Sequence, residues 1–195
     1  MSDAREQLLE LLVRHSFQYS ADPIFTLASG RKSQYYINCK KTTFMPEAMP
    51  LLGLLFFERI KALGQRDVEP IEAVGGLTLG ADPIAYAIAY HSALEGAPIH
   101  AFSVRKEPKG HGALKWVEGF EREGARVAII EDVVTTGGST LKAIEGALHA
   151  GFKIAMVLAL VDRQEGGREA LQEQGYELEA MYTTEDFLRA SRKPE

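Results

Sequence analysis

From residue 71 to residue 182 the chain alternates short apolar runs with helix-forming stretches, and no other feature limits its fold so strongly. Ile71-Glu72-Ala73-Val74 reads as a short strand running into Gly75-Gly76, with a helix over about 81–95 after it. Ile99 to Val104 is the next strand. Arg126 to Ile130 is another, followed by a Gly-rich turn and a helix to about Ala150. Ile154 to Val161 is an unbroken apolar run, the pattern of a strand covered on both faces. A helix over about 167–174 and a strand over 177–182 close the series. Strands alternating with helices predict an α/β fold: a mostly parallel, twisted sheet flanked by helices, joined by right-handed crossovers.

The first ~40 residues break this alternation. Leu8, Leu9, Leu11 and Leu12 stand among charges and predict an amphipathic helix over 3–14. Ser29-Gly30-Arg31-Lys32 is a turn signal between Ile24-Phe25-Thr26-Leu27 and Tyr35-Tyr36-Ile37, which reads as two short strands around a loop. A long helix is expected from Pro46, near its first turn, to Leu63, with Gly64 as its stop. The expected organisation is a single domain over 1–195. An N-terminal hood of about 1–45 caps one edge of an α/β core of about 65–183.

Length and composition agree with one self-sufficient domain. The chain has 195 residues, 46% of them apolar, enough to bury a core without disulfides or metal. Its net charge of −5 argues against a general nucleic-acid binder. The single cysteine, Cys39, excludes an intrachain disulfide and suits a reducing compartment. Cys39 is read as a small apolar filler ahead of a reactive thiol. The N-terminus carries acids among its leucines and lacks the pattern of a secretory signal. No apolar run approaches the roughly 20 residues of a membrane span. The expected location is the cytoplasm, with no membrane partner.

Two segments carry chemistry. In the first, the apolar run Val127-Ala128-Ile129-Ile130 ends in Glu131-Asp132, and Val133-Val134-Thr135-Thr136-Gly137-Gly138-Ser139-Thr140 leads into a helix. Backbone N–H groups of such a turn, with the new helix N-terminus, form a cradle for a phosphate. Gly137 and Gly138 permit close approach and positive φ. The hydroxyls add donors, and the two acids suit sugar hydroxyls or a divalent cation. Ligands of open α/β sheets sit at this end of the strands. The plainer reading is an acidic strand end and a helix capped by Thr or Ser. The turn is neither a Walker loop nor a dinucleotide fingerprint. In the second segment, Arg105-Lys106-Glu107-Pro108-Lys109-Gly110-His111-Gly112-Ala113-Leu114-Lys115, four basic residues and a His crowd into an acidic protein. Two glycines loosen it, which suits a lid closing on a polyanion. A solvated surface loop is the alternative.

The first segment resembles the phosphoribosyl-pyrophosphate (PRPP) motif of type I phosphoribosyltransferases. The second, as Arg105-Lys106-x-x-Lys109-x-His111-Gly112, resembles the catalytic loop of the orotate phosphoribosyltransferase family. Phe25-Thr26-Leu27-Ala28-Ser29-Gly30-Arg31-Lys32-Ser33-Gln34-Tyr35-Tyr36-Ile37 is similar to that family's N-terminal substrate segment. Gly75-Gly76-Leu77-Thr78-Leu79-Gly80-Ala81-Asp82-Pro83 is similar to its pyrophosphate loop, and Val161-Asp162-Arg163-Gln164-Glu165-Gly166-Gly167 to its Asp-Arg-Gln strand end. The motifs stand in family order over about residues 25–167.

The resemblance implies a type I phosphoribosyltransferase fold and the reaction of orotate with PRPP, giving orotidine 5′-monophosphate and pyrophosphate with Mg²⁺. It implies Lys109, His111 and Asp132 as catalytic residues. Thr78, Leu79, Arg105, Lys106, Lys109, His111, Glu131, Asp132, Val133, Val134, Thr135, Thr136, Gly137, Gly138 and Ser139 would bind PRPP. Tyr36, Ile37, Thr135 and Arg163 would bind orotate. Lys106 would reach the neighbouring site of a homodimer, and Mg²⁺ would be held mainly through PRPP, with no direct protein ligand. Three positions depart from some relatives: Ala28 and Leu79 replace lysines, and Ile37 replaces an aromatic, which leaves stacking to Tyr36 or Phe25 unless those rings serve the core. A phosphoribosyltransferase for another base and a PRPP-sensing regulator on the same fold stay open. The regulator lacks any visible nucleic-acid-binding extension.

Overall fold

The alternating runs assemble into one six-stranded sheet in a computed structural model that describes residues 2–26, 30, 32–64, 69–109 and 115–192. Helix α1 (Ser2–Ser16) leads into the short strands β1 (Phe17–Tyr19), β2 (Phe25–Thr26), β3 (Lys32–Ser33) and β4 (Tyr35–Ile37). Helices α2 (Lys40–Thr43) and α3 (Ala48–Gly64) follow. Next come β5 (Ala73–Leu77), α4 (Asp82–Leu94), β6 (His100–Lys109), β7 (Lys115–Gly119), β8 (Arg126–Val134) and α5 (Gly138–His149). The series ends with β9 (Lys153–Asp162), α6 (Gly167–Glu173), β10 (Leu178–Thr183) and α7 (Thr184–Ser191). The strand order is β10-β9-β8-β5-β6-β7, and all neighbours are parallel except β6 and β7.

Strand alternation divides the core into two layers. Val127 and Ile129 face one layer with Val157 and Ala159, beneath Ala143 and Ala147 of α5. Ala128 and Ile130 face the other with Leu158 and Leu160, beneath Phe56 of α3 and Ile84 and Ile88 of α4. The N-terminal segment joins the second layer. Leu8 and Leu12 of α1 are fully buried there with Phe17, Ile37 and Phe187. Each such burial contributes about 1.5–3 kcal/mol, so the hood is held by the same core that backs the sheet. Tyr182 of the edge strand β10 donates its hydroxyl to Arg5 O at 2.6 Å and fixes α1 over that edge. Cys39 lies in this layer, and burial pushes its thiol well above the ordinary range. It is a packing residue.

Several local expectations need correction. The first sheet strand starts at Ala73 and includes Gly75-Gly76, because Cβ atoms there would collide with Phe102 and with Ile130 and Ala81 on the flanking elements. The strand expected to end at Val104 continues to Lys109 and pairs antiparallel with β7, a strand the sequence reading missed. The runs at 24–27 and 35–37 do not pair with each other. β2 pairs with β3, and β4 pairs with β1. The long helix begins at Ala48, past Pro46, with Pro50 in its first turn. Strand β8 runs four residues beyond Ile130, through both acids to Val134.

Candidate active site

The chain leaves β5 for β6 on one side and returns through β8 to β9 and β10 on the other. The carboxyl ends of β5 and β8 therefore flank the point where the winding reverses, the place where open α/β sheets bind ligands. The loop after β5, which leads to α4, and the turn after β8, which leads to α5, both start there.

The turn is built for an anion. Gly137 adopts φ 84°, a left-handed conformation, and packs against Gly167, where a Cβ would lie 3.1 Å from a carbonyl oxygen. Glycine meets both demands. Gly137 is also the N-cap of α5, and no side chain caps the helix. The plainer alternative, a helix capped by Thr or Ser, is therefore not what the structure has. Among the described residues the amides of 135–140 donate to no acceptor. A helix start with free N–H groups and the positive end of its dipole receives a phosphate directly. Thr136, Gly138 and Ser139 are exposed around it.

The two acids point to opposite sides of β8, as alternation requires. Glu131 turns toward α5, where Thr140 Oγ1 donates to its Oε2 at 3.4 Å. Burial and the adjacent Asp132 charge push the Glu131 carboxyl well above the usual range. Asp132 turns toward the hood. Its Oδ1 accepts the Val133 amide at 2.9 Å, and its Oδ2 lies 3.0 Å from Lys40 Nζ on α2. Burial alone would lower the Lys40 pKa, but the charge and hydrogen bond of Asp132 outweigh it and raise it. Lys40 is a site residue that the sequence reading missed, because α2 is four residues long and stands 92 positions from its partner.

The loop after β5 closes the other side. Thr78 N–H is spent on Val104 O at 2.9 Å, and its hydroxyl donates to Asp82 Oδ2 at 2.6 Å. Ser103 Oγ holds the second Asp82 oxygen at 2.7 Å. Thr78 and Leu79, both expected to bind PRPP, differ in what their main-chain amides leave open. The Leu79 and Gly80 amides have no acceptor among the described residues, whereas the Thr78 amide is engaged. The Thr78–Leu79 peptide is cis, and the Leu79 side chain is exposed. At Gly80 a Cβ would sit 2.5 Å from Asp132 Oδ1, so loop and acid are in direct contact.

On the side of the sheet toward β9, Asp162 is fully buried and accepts from Arg168 Nε at 3.1 Å and the Gln164 amide at 2.8 Å. Arg163 follows it, 5% exposed, with its Cζ 5.1 Å from the centroid of the Tyr35 ring. Its Nη2 lies 2.8 Å from Glu165 Oε1 but lacks hydrogen-bond geometry, and its Nε has no partner among the described residues. A buried guanidinium with unsatisfied donors suits a carboxylate ligand. Tyr35 is a second residue the sequence reading did not single out as a ligand. Tyr36, on the opposite side of β4, is partly exposed and stacks on Phe25 at 6.1 Å between centroids. The Ile37 side chain is in the core, which leaves only its main chain to a ligand.

The described residues of the basic segment lie on the antiparallel strands β6 and β7, and residues 110–114 between them lie outside the described residues. Arg105 donates to Glu118 Oε1 from Nε at 3.1 Å and Nη2 at 2.5 Å, and Lys115 bridges Glu118 at 3.0 Å and Glu121 at 2.7 Å. Arg105, then Lys115, hold the Glu118 carboxyl below its ordinary value. Lys106 is exposed and has no ion pair among the described residues. Lys109 is the last residue of β6. His111, like Ala28, lies outside the described residues.

No protein-family model matches the chain. It is 45% identical over 184 residues to the orotate phosphoribosyltransferase of Aquifex aeolicus, covering 94% of this chain and 97% of that one. It is 41% identical over 194 residues to that of Synechocystis, covering 99% and 93%. The chain belongs to the orotate phosphoribosyltransferase family. Among solved structures, the orotate phosphoribosyltransferase of Mycobacterium tuberculosis in complex with PRPP has a TM-score of 0.74 at 35% identity, covering 94% of this chain and 98% of that one. The same enzyme in complex with Fe(III) dicitrate has a TM-score of 0.78 at 37% identity, with the same coverage. The architecture is the type I phosphoribosyltransferase fold. An adenine phosphoribosyltransferase from Leishmania tarentolae shares this fold at a TM-score of 0.60 and 18% identity. The fold alone therefore does not choose the base. Among the described residues no helix is long and apolar enough to cross a membrane.

Proposed function

We propose that the chain transfers the phosphoribosyl group of PRPP to orotate in pyrimidine biosynthesis. The observation that carries this reading is the meeting of the uncapped start of α5, the Asp132 carboxylate and the free Leu79 and Gly80 amides at one reversal of the sheet. The 135–139 turn holds the 5′-phosphate, with Val133 and Val134 bringing the strand into it. Glu131 and Asp132 take the ribose hydroxyls. The Leu79 and Gly80 amides, with Arg105, Lys109 and His111, take the pyrophosphate. Lys106 extends to the site of the partner subunit in a homodimer, and Arg105 exchanges Glu118 for phosphate oxygens. The orotate carboxylate pairs with Arg163, and its ring lies beside Tyr36, Thr135 and the Ile37 main chain. The first ~45 residues act as a hood on a single domain.

In the reaction the anomeric C–O bond breaks and its electron pair leaves with pyrophosphate. A bond from orotate N1 forms as N1 gives up its proton to water. Positive charge builds on the ribosyl carbon, and the Asp132 carboxylate favours it. Preorganised amides and cations favour the leaving group. Mg²⁺ would be held mainly through PRPP and would offset the pyrophosphate charge. Carboxylate and hydroxyl oxygens such as those of Asp132, Thr135 and Ser139 suit a hard cation of this kind. Absorbance of orotate on addition of PRPP and Mg²⁺ tests the reading, with adenine and hypoxanthine as competing bases. Loss of orotate only in the complete mixture is expected. Turnover of a purine without turnover of orotate overturns the reading.

A further inference from the structure

Lys40 lies outside every segment that carries a family motif, yet among the described residues it is the one cation ion-paired with Asp132. Its support is rigid. Cys39 before it is buried, and Thr42 and Thr43 after it are fully buried. Thr42 Oγ1 lies 2.6 Å from Ser16 Oγ at the end of α1 and 3.4 Å from Leu11 O. The ammonium is therefore delivered from a platform anchored in the core.

The carboxylate it meets is constrained on three sides. Lys40 holds Oδ2 at 3.0 Å, the Val133 amide holds Oδ1 at 2.9 Å, and Gly80 abuts Oδ1 with no room for a side chain. Of these three, only Lys40 comes from the hood. A lysine ammonium has three N–H donors. The Lys40 side chain is 49% exposed against 9% for Asp132, so donors remain on the side facing solvent. The Asp132 amide also donates to Oε1 of the buried Glu131 carboxyl at 3.0 Å, which ties the two acids together through the backbone.

We propose that Lys40 is a positioning residue for the transfer step: it fixes the Asp132 carboxylate in the orientation in which that group meets the ribosyl centre. The link also makes the placement of the acid depend on a seated hood. This inference rests on the reading of Asp132 as a ribose ligand.

Steady-state kinetics of Lys40→Met, Lys40→Arg, Asp132→Asn and the Lys40→Met/Asp132→Asn double variant test it. Misplacing a reacting group by about 1 Å costs up to about 100-fold. Lys40→Met is expected to lower kcat about 10–100-fold on that basis, with the KM for PRPP changed much less. Lys40→Arg is expected to recover most of the loss, which a purely structural role in α2 would not predict. In the Asp132→Asn background Lys40→Met should add less than about two-fold, because coupled residues are not additive. Lys40→Gln replaces the Met variant if circular dichroism shows that the latter has lost its fold. Unchanged kcat in Lys40→Met, a loss confined to the KM for PRPP, or full additivity with Asp132→Asn overturns the proposal and leaves the functional reading intact. A wild-type chain that consumes no orotate overturns both.

Discussion

The phosphate turn and the β6–β7 hairpin both present groups for a polyanion, but they are held in opposite ways. The turn is contiguous. Val127 to Ile130 behind it are fully buried, Ala143 and Ala147 of α5 lock the helix that follows, and Gly137 is wedged against Gly167. Its donors are main-chain amides that cannot swing away. The hairpin is held across its strands by the exposed pairs Arg105–Glu118, Lys115–Glu118 and Lys115–Glu121. Exposed pairs of this kind contribute little to stability, so these cations are easily redirected. A site that must grip PRPP and then release pyrophosphate gains from this division. In the proposed function the 5′-phosphate is met by fixed dipoles, and the leaving group by charges that exchange partners.

That contrast can be broken at three points. Lys109→Ala removes a hairpin cation from the leaving group. Turnover should fall tenfold or more, since a well-placed charge stabiliser contributes about 2.7–4 kcal/mol to the transition state, while thermal unfolding stays unchanged. Wild-type turnover in this variant would remove Lys109 from the mechanism. Gly80→Ala tests the rigid side. The new methyl displaces the Asp132 carboxylate, so kcat/KM should fall about tenfold with little change in melting temperature. A variant that loses stability and keeps activity would show that the loop yields instead of the acid. Glu118→Gln should have the smallest effect. Stability should move by no more than about 0.5 kcal/mol, and the KM for PRPP should hold or fall as Arg105 is released. A clear rise in that KM would mean that Glu118 places Arg105 for its ligand.

The same contrast explains what could be read from the residues alone. The turn was legible because its parts are consecutive: apolar strand, acids, hydroxyls, glycines, helix. Even there a side-chain cap by Thr or Ser stayed open as the plainer alternative, since a capped and an uncapped helix start look alike in sequence. The hairpin strand β7 was lost because Lys115-Trp116-Val117-Glu118-Gly119 buries only Val117 and is otherwise charged or half-exposed. Helix α7 carried a readable signal, the capping box of Thr183 and Asp186, which went unused. The pairing within the hood was not legible, because β1 to β4 are two or three residues each and their register is set by α1 and the core. The contacts of Lys40 with Asp132 and of Arg163 with Tyr35 join residues 92 and 128 positions apart, and only the fold brings them together.

In the proposed function, binding and chemistry separate within a few residues of β8. In Asp132→Asn, calorimetry of PRPP binding and turnover at saturating PRPP and orotate should be measured on one preparation. The phosphate turn is untouched by the change, so the dissociation constant should stay within about threefold. The loss should appear in kcat and kcat/KM together, by about 100-fold or more. Weakened PRPP binding with kcat unchanged at saturation would contradict the account and make Asp132 a ground-state ligand of the ribose.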